Sequence, residues 1–523
     1  MSFMPSYDTI IIGAGHNGMV CACYLARRGQ KVLLLEAANE IGGLAAKREF
    51  FPEFQVSVAH SISHFSAKVV KELNLESHGL INPSLALPTV GLNRNGEHVV
   101  LAHDEGGAAS LSGVSEKDLA SFKNYQTLMY RYAAMLKPFW ETVLPRIGVG
   151  GIAKAMTYAK LGLKLRLLGK SDMREFMRIA MLPARDLMDE YFDNDLLKAL
   201  LSWDALIGSK MAPRSPNGPV VSLLYRMGGD FEGAHYLPEN GIESLIYSLR
   251  SVAEASGVEI RTNAPVEKIL IQGNESGLKV EGVKMPDGEI ITATRVVSSA
   301  DPHRTFVDLV GVENLEIQFA NRIRRLRSEG YVAKLHLALH GEPKFTGLAG
   351  PEGRMIIAPS MDTIEFAYDD AKYGEFSRQP VMEVLVPTRY QSELAPPGKH
   401  VISAHVMYIP KKLKSKWCVD AREEIKNKTI DLLSQYSPGL KDLIVHAEFL
   451  TPEDIESNFR VTGGNWHHAD HVIDQMFMMR PTYEAAQYST PVPGLFLCGA
   501  SCHPGGDLTG AAGHNAAHEI LKP

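Results

Sequence analysis

The sequence has no run of about 18 apolar residues, so no helix is expected to cross a bilayer and any membrane contact is peripheral. Basic charge is not in excess: the formal net charge of -6 at pH 7 leaves no electrostatic footprint for a nucleic acid. Cysteine is scarce. Cys21, Cys23, Cys418, Cys498 and Cys502 are odd in number and scattered, with no Cys-x-x-Cys pair, which argues against a disulfide framework and for buried or incidental thiols in a reducing compartment. The N-terminus carries no basic n-region, apolar h-region or Arg-rich presequence, so the expected location is cytoplasmic, with peripheral membrane association left open.

What is present begins with length. At 523 residues the chain exceeds one comfortable hydrophobic core, and two or three lobes are expected. Tyr7 to Ile12 is a short apolar run that ends in Gly13-Ala14-Gly15-His16-Asn17-Gly18. A helical stretch to Arg28, a Gly29 stop and a second apolar run from Lys31 to Leu35 follow, closed by Glu36. This is a complete βαβ unit. Gly13 allows the tight turn, Gly15 lets the backbone approach a pyrophosphate, and Gly18 lets helix and strand pack closely. The helix N-terminus offers free N–H groups and positive dipole to the phosphates.

Glu36 stands where a carboxylate at the end of the second strand accepts hydrogen bonds from adenosine ribose hydroxyls, which favours FAD or NAD over a 2′-phosphorylated nucleotide. Ile41-Gly42-Gly43-Leu44-Ala45 adds a second glycine turn, as FAD-binding chains do. Near the C-terminus, Leu495 to Ala500 reads as a buried strand followed by His503-Pro504-Gly505-Gly506-Asp507, Leu508, Thr509 and Gly510-Ala511-Ala512-Gly513, then a helical end. Gly499, Asp507, Leu508 and Thr509 are the candidates there to meet the flavin or its ribityl chain through loop amides.

The βαβ unit with Glu36 and Gly42-Gly43, Ser215-Pro216-Asn217-Gly218, Pro238-Glu239-Asn240-Gly241, Ser298-Ser299-Ala300-Asp301-Pro302, Lys334 to Leu339, Gly463-Gly464-Asn465 to Asp474-Gln475 with Arg480-Pro481, and the C-terminal glycine loop share one pattern. Together they resemble the phytoene desaturase and carotenoid isomerase group of FAD oxidoreductases, in particular the branch of pyridine nucleotide-disulfide oxidoreductase domain-containing protein 2. With neither a redox Cys pair nor a second strand-linked G-x-G-x-x-G, the disulfide and nicotinamide chemistry in that branch's name is not expected. Asn240 departs from a usual glycine, and of the histidines from 467 to 471 only His468 matches a family position.

The resemblance implies an α/β fold: a doubly wound Rossmann-like FAD-binding domain, discontinuous in sequence, with an α+β substrate domain. The FAD-binding parts would be residues 1–75, 235–305 and 488–523, and the substrate parts 76–234, with a helical and membrane-facing region, and 306–487. Val266 is carried over as a residue that meets the adenine through its backbone.

Lys137, Arg146, Lys154, Lys160, Lys164, Arg166 and Lys170 are opposed only by Glu141, while Ile152, Ala155, Met156, Ala159 and Leu163 fall at helical spacing. That face either packs on the substrate lobe or rests on anionic lipid with its lysines snorkelling. Met173, Met177, Met181 and Met188 fill a core or line an apolar tunnel. His467, His468, Asp470 and His471 are structural, proton-handling or, in a His-x-x-x-His helix, metal-binding; no third ligand stands out by spacing, and no metal is expected.

The expected function is hydride transfer between FAD and an apolar small molecule, isoprenoid or lipid-like, in desaturation, saturation or isomerisation, with His468 and Arg480 as candidate catalytic residues. A quinone or oxygen would reoxidise the flavin. The alternatives are a flavin amine oxidase, which would call for aromatic side chains beside the flavin, and an interaction protein whose FAD is structural.

Overall fold

The computed structural model describes residues 6–83, 86–104, 108–146, 152–229, 233–274 and 277–522. Strands Tyr7–Ile12, Val32–Leu35, Glu259–Arg261, Ile290–Ser298 and Leu495–Leu497 form a parallel array in the order 259–261, 32–35, 7–12, 290–298, 495–497. Such strands are buried on both faces and so read as continuous apolar runs, as Val32-Leu33-Leu34-Leu35 does. Lys268–Asn274 and Gly277–Lys284 extend the sheet as an antiparallel meander onto the start of Ile290–Ser298. The fold is α/β with a Rossmann-like FAD-binding unit assembled from distant stretches of chain, together with a second sheet-and-helix unit.

Helix His16–Ala26 packs against both Ile242–Ala255 and the C-terminal helix Ala511–Ile520. It is therefore buried nearly all round, and Cys21 and Cys23 are both fully buried rather than divided between core and surface. Cys498 and Cys502 are buried as well; Cys418 is exposed, and all five thiols are free.

The second sheet has eight strands in the order 444–450, 332–339, 400–407, 381–385, 354–357, 89–91, 99–103, 109–112. Strand alternation divides its faces. Leu335, Leu337, Ile402, Ala404, Met382, Val384, Met355 and Ile357 share one apolar core, while the opposite face carries Lys334, His405, Glu383 and Arg354 in a row across four strands. A helical layer led by Glu116–Trp140, Asp195–Leu206 and Pro219–Met227 forms a third core around Trp203, Tyr132 and Tyr225.

Two stretches cross the expected lobe boundaries. The hairpin Arg48–Phe51 and Phe54–Val56, expected with the FAD-binding part, packs Phe54 and Val56 on Ala338 and Val401 of the second sheet. Residues 306–324, expected in the substrate part, bury Phe306, Leu309, Phe319 and Ile323 in the first core. Shape complementarity of apolar surface decided both, and linear order does not encode it.

Helix Ile152–Leu167 leans on the helical core through Leu165 and Leu168, but Met156, Ala159, Leu163 and Leu167 point outward, Leu167 at 74% exposure. The side chains of Ile152, Lys154 and Ala155 lie outside the described residues. The methionine series splits: Met188 is core, Met177 and Met181 are exposed, and none of the four lines the main cavity. Among the described residues no helix is long and apolar enough to cross a membrane.

Candidate functional site

A cavity of about 1620 Å³, open mouth included, runs where the two sheets meet. Its dinucleotide half follows from local sequence. Gly13 adopts a φ of 94° at the turn, and a Cβ on Gly18 would stand 2.1 Å from the Gly13 carbonyl oxygen, so both glycines are required for the strand-to-helix turn. Gly15 differs: a Cβ there would meet no protein atom within 4 Å, because the residue faces the open cavity at the N-terminus of the first helix. Glu36 bridges the strand ends, its carboxylate accepting the Ala14 N–H at 2.8 Å and the Ala38 N–H at 2.9 Å, and it too lines the cavity. Gly42, at φ 117°, donates its N–H to the Ala14 carbonyl at 2.9 Å, which folds the second glycine turn onto the first.

Of the residues expected to bind FAD, Gly13, Gly15, His16, Asn17, Glu36, Gly42, Gly43 and Leu44 line the cavity, joined by Val266, Asp507 and Leu508. Ala14, Gly18, Gly499 and Thr509 stand behind that wall. Ala14 gives its N–H to Glu36 and its C=O to Gly42. Gly499 lets its strand end approach the Ser299 carbonyl, which a Cβ would meet at 2.4 Å, and the Thr509 carbonyl accepts the Ser66 N–H. Asn240 takes a φ of 60°, a left-handed position that asparagine tolerates where glycine is usual.

The opposite wall comes from the polar face of the second sheet, and sequence reading missed it. His60, Glu383 and His405 line the cavity, with Lys334 and Arg354 behind them. His60 Nε2 lies 2.9 Å from Glu383 Oε1, and Lys334 Nζ lies 2.9 Å from His60 Nδ1. Glu383 is held further by Arg354 at 2.8 Å and by the Trp203 indole N–H at 2.7 Å. Burial and then the Lys334 charge push His60 down to about 4, burial lowers Lys334 well below the usual lysine range, and the Arg354 guanidinium keeps Glu383 ionised against its own burial. The available signal was a charged residue inside an apolar strand, as in Val332-Ala333-Lys334-Leu335 and Val381-Met382-Glu383-Val384.

The histidine-rich stretch is not a helix; residues 465 to 472 run through turns. His467 and His471 are buried and stacked, ring centroids 4.3 Å apart, under the C-terminal loop. His468, at φ 61°, reaches the cavity, and its Nδ1 has no hydrogen-bond partner. Arg480, expected with His468 as a catalytic candidate, is placed away from the cavity. Fully buried, its guanidinium donates to the carbonyls of His467, Ala469, Asp470, Gln475 and Ala500, and it does not line the cavity. Without a carboxylate partner, burial pushes it down to about 10. It clamps the His468 loop to the strand end at Ala500. Asp507 is tied to Arg226 at 2.9 Å, which depresses its carboxyl despite burial.

A long cleft with a carboxylate at the end of the second strand, a helix N-terminus, a glycine cradle that a Cβ would fill and a second lobe over its far end fits FAD. Comparison with known proteins agrees. The chain is 32% identical to the mouse pyridine nucleotide-disulfide oxidoreductase domain-containing protein 2, over 99% of this chain and 94% of that one. It is 26% identical to a limonene dehydrogenase component from Castellaniella defragrans, over 100% and 96%. With the lycopene-forming phytoene desaturase of Pantoea ananas it shares 22% identity, over 97% and 96%. A solved structure of putrescine oxidase, a triple mutant, matches the fold with a TM-score of 0.60 at 16% identity, over 98% of each chain. The model of the flavin containing amine oxidoreductase family matches residues 18–521, and this chain is a member of that family of FAD-dependent oxidoreductases.

Proposed function

We propose that this flavoprotein moves a hydride between FAD and an apolar, uncharged substrate of isoprenoid or lipid type, desaturating, saturating or isomerising carbon–carbon bonds. One observation carries the reading: the carboxylates on the cavity wall are already committed. Glu36 accepts two backbone N–H groups, Asp301 those of Arg304 and Thr462, Glu383 is held by Arg354 and Trp203, and Asp507 by Arg226. A cationic amine would find the Glu383 and Asp507 charges already paired with guanidinium groups and the oxygens of Glu36 and Asp301 already occupied by backbone N–H groups, and so would recover little of its desolvation cost. Val58, Ala59, Ile207, Val461 and Trp466 line the same wall. The relatives named for limonene and phytoene support an alkene; the likeness to putrescine oxidase is one of fold.

FAD when bound supplies the two-electron exchange. The chain holds substrate beside it, keeps water out and handles protons. His16 Nε2, His405 Nδ1 and His468 Nδ1 each lack a hydrogen-bond partner and belong to imidazoles that line the cavity, and burial holds all three rings neutral at pH 7. These are the atoms able to take or position a proton. We also place substrate entry at a lipid surface, where exposed Met156, Leu163 and Leu167 alternate with Lys160, Lys164 and Arg166.

The test is an anaerobic titration of the purified flavin-loaded protein with limonene and phytoene on one side and putrescine and cyclohexylamine on the other. Bleaching near ~450 nm, the oxidised flavin band, by the alkenes alone supports the reading. Bleaching by the amines overturns it.

A further inference from the structure

A second His-x-x-x-His pair lies on a real helix. His514 and His518 stand four apart on Ala511–Ile520 and so share a face, against which Ala67–Leu73 brings Glu72. One ligand atom from each of the three lies within 4.8 Å of the others, and His514 Nε2 is 3.7 Å from Glu72 Oε2.

The surrounding hydrogen bonds fix which nitrogens face inward. Asn515 Nδ2 donates to the Trp140 carbonyl at 3.1 Å and to the Tyr488 hydroxyl at 3.0 Å. Asn515 Oδ1, an acceptor, therefore faces His514 Nδ1 at 2.9 Å, and that nitrogen carries the proton. His518 Nδ1 lies 2.9 Å from the His514 carbonyl oxygen and is likewise the donor. His514 Nε2 is left with a lone pair on the Glu72 side of the helix, and His518 Nε2 keeps its own lone pair for a ligand. His514 is 2% exposed and its Nε2 has no hydrogen-bond partner. Tyr24 donates to Glu72 Oε2 at 2.7 Å, and its ring meets both imidazoles edge-on.

We propose that Glu72, His514 and His518 form a binding site for a divalent transition-metal ion of the zinc class, with water completing the shell. The donor set of two imidazoles and a carboxylate suits zinc, whose tetrahedral ligand atoms stand about 3.4 Å apart; His514 Nε2 and Glu72 Oε2 stand 3.7 Å apart, and the three ligand atoms need draw in only from within 4.8 Å. The Nδ1–H groups given to Asn515 and to a backbone carbonyl are the outer contacts that metal-binding histidines use to fix their tautomer. The other histidine and carboxylate group, His60, Glu383 and His405, is unsuited, because Arg354 and Trp203 occupy Glu383 and Lys334 stands alongside. Bound metal would join the C-terminal helix to Ala67–Leu73. The same helix packs Gly513 against Asn17 of the phosphate-binding turn, so the site would brace the cofactor cradle from behind.

The experiment is zinc titration of tag-free, chelator-treated, flavin-loaded full-length protein by calorimetry, with cobalt(II) absorption as the spectroscopic probe. Expected is one equivalent per chain, a rise in Tm on zinc addition, and binding weakened by at least about tenfold in both His518→Ala and Glu72→Gln, with flavin content unchanged. His518 and Glu72 are exposed, so both variants should fold. Absence of saturable one-equivalent binding, or binding that neither substitution alters, overturns the proposal.

Discussion

Lys334 Nζ lies 2.9 Å from His60 Nδ1, and both side chains are buried. An amine that donates to the neutral imidazole of His60 has its proton directed toward Glu383, which also accepts from Arg354, and burial disfavours its own charge. The residue stands directly opposite His405 across the sheet, so the polar row is a consequence of strand register.

Lys334 and Glu383 should respond oppositely to mutation. Lys334→Met removes an amine that the interior already penalises, and thermal unfolding should show stability unchanged or raised by up to about 2 kcal/mol. Glu383→Gln leaves Arg354 with Asp204 alone and should cost about 3–5 kcal/mol. A greater loss in Lys334→Met would mean that the buried amine is ionised in the fold.

Gly15 and Gly18 separate binding from folding. Gly15→Ala places a methyl group in the empty cradle, so the flavin-free protein should keep its stability within about 1 kcal/mol while FAD affinity falls by at least about tenfold. Gly18→Ala drives a Cβ into the Gly13 carbonyl and should destabilise even the flavin-free protein, by about 1–3 kcal/mol. Flavin absorbance per chain and the Tm of stripped protein distinguish the two; a Gly15→Ala protein with full flavin would refute the placement of the pyrophosphate.

Acid should unfold this protein early. Burial lowers His16, His60 and His503 from 6.5 to about 4 and His467 to about 3, so the folded chain binds fewer protons than the unfolded one below pH 6.5. Their contribution is complete above pH 6.5 and is lost as pH falls toward 4, at up to about 3 kcal/mol for each histidine. Asp470 opposes this trend: burial raises it to about 7, so stability is lost as pH climbs from 3.8 through 7. Tm measured from pH 8 to pH 5 should fall steeply below 6.5, and Asp470→Asn should raise Tm at pH 8. A flat profile would contradict the neutral assignment of these imidazoles.

The outward face of Ile152–Leu167 should bind anionic lipid. Co-sedimentation with phosphatidylserine-containing vesicles is expected, with little on pure phosphatidylcholine, and Leu163→Glu with Leu167→Glu should abolish it without changing Tm. Equal recovery of wild type and variant on vesicles would exclude this face as the contact.

The phosphate-binding turn was legible from spacing alone because everything it needs lies within one short stretch of chain: a glycine at positive φ, a helix N-terminus, and a strand that delivers Glu36. His468 was legible through resemblance, and the fold put it on the cavity, whereas Arg480, equally marked in sequence, was turned away to bind carbonyls. Access to the cavity for one and full enclosure of the other depend on how residues 465–480 coil, which periodicity does not report.

The sequence by itself determined the dinucleotide unit, because that unit rests on local geometry and apolar periodicity, and the α/β architecture was implied by resemblance. Only tertiary structure decided the company these residues keep. Lys334, Arg354, Glu383 and His405 meet because four strands align in one register, and Glu72 meets His514 from the other end of the chain. Such contacts are set by burial and strand pairing between distant segments, and no spacing within either segment carries them.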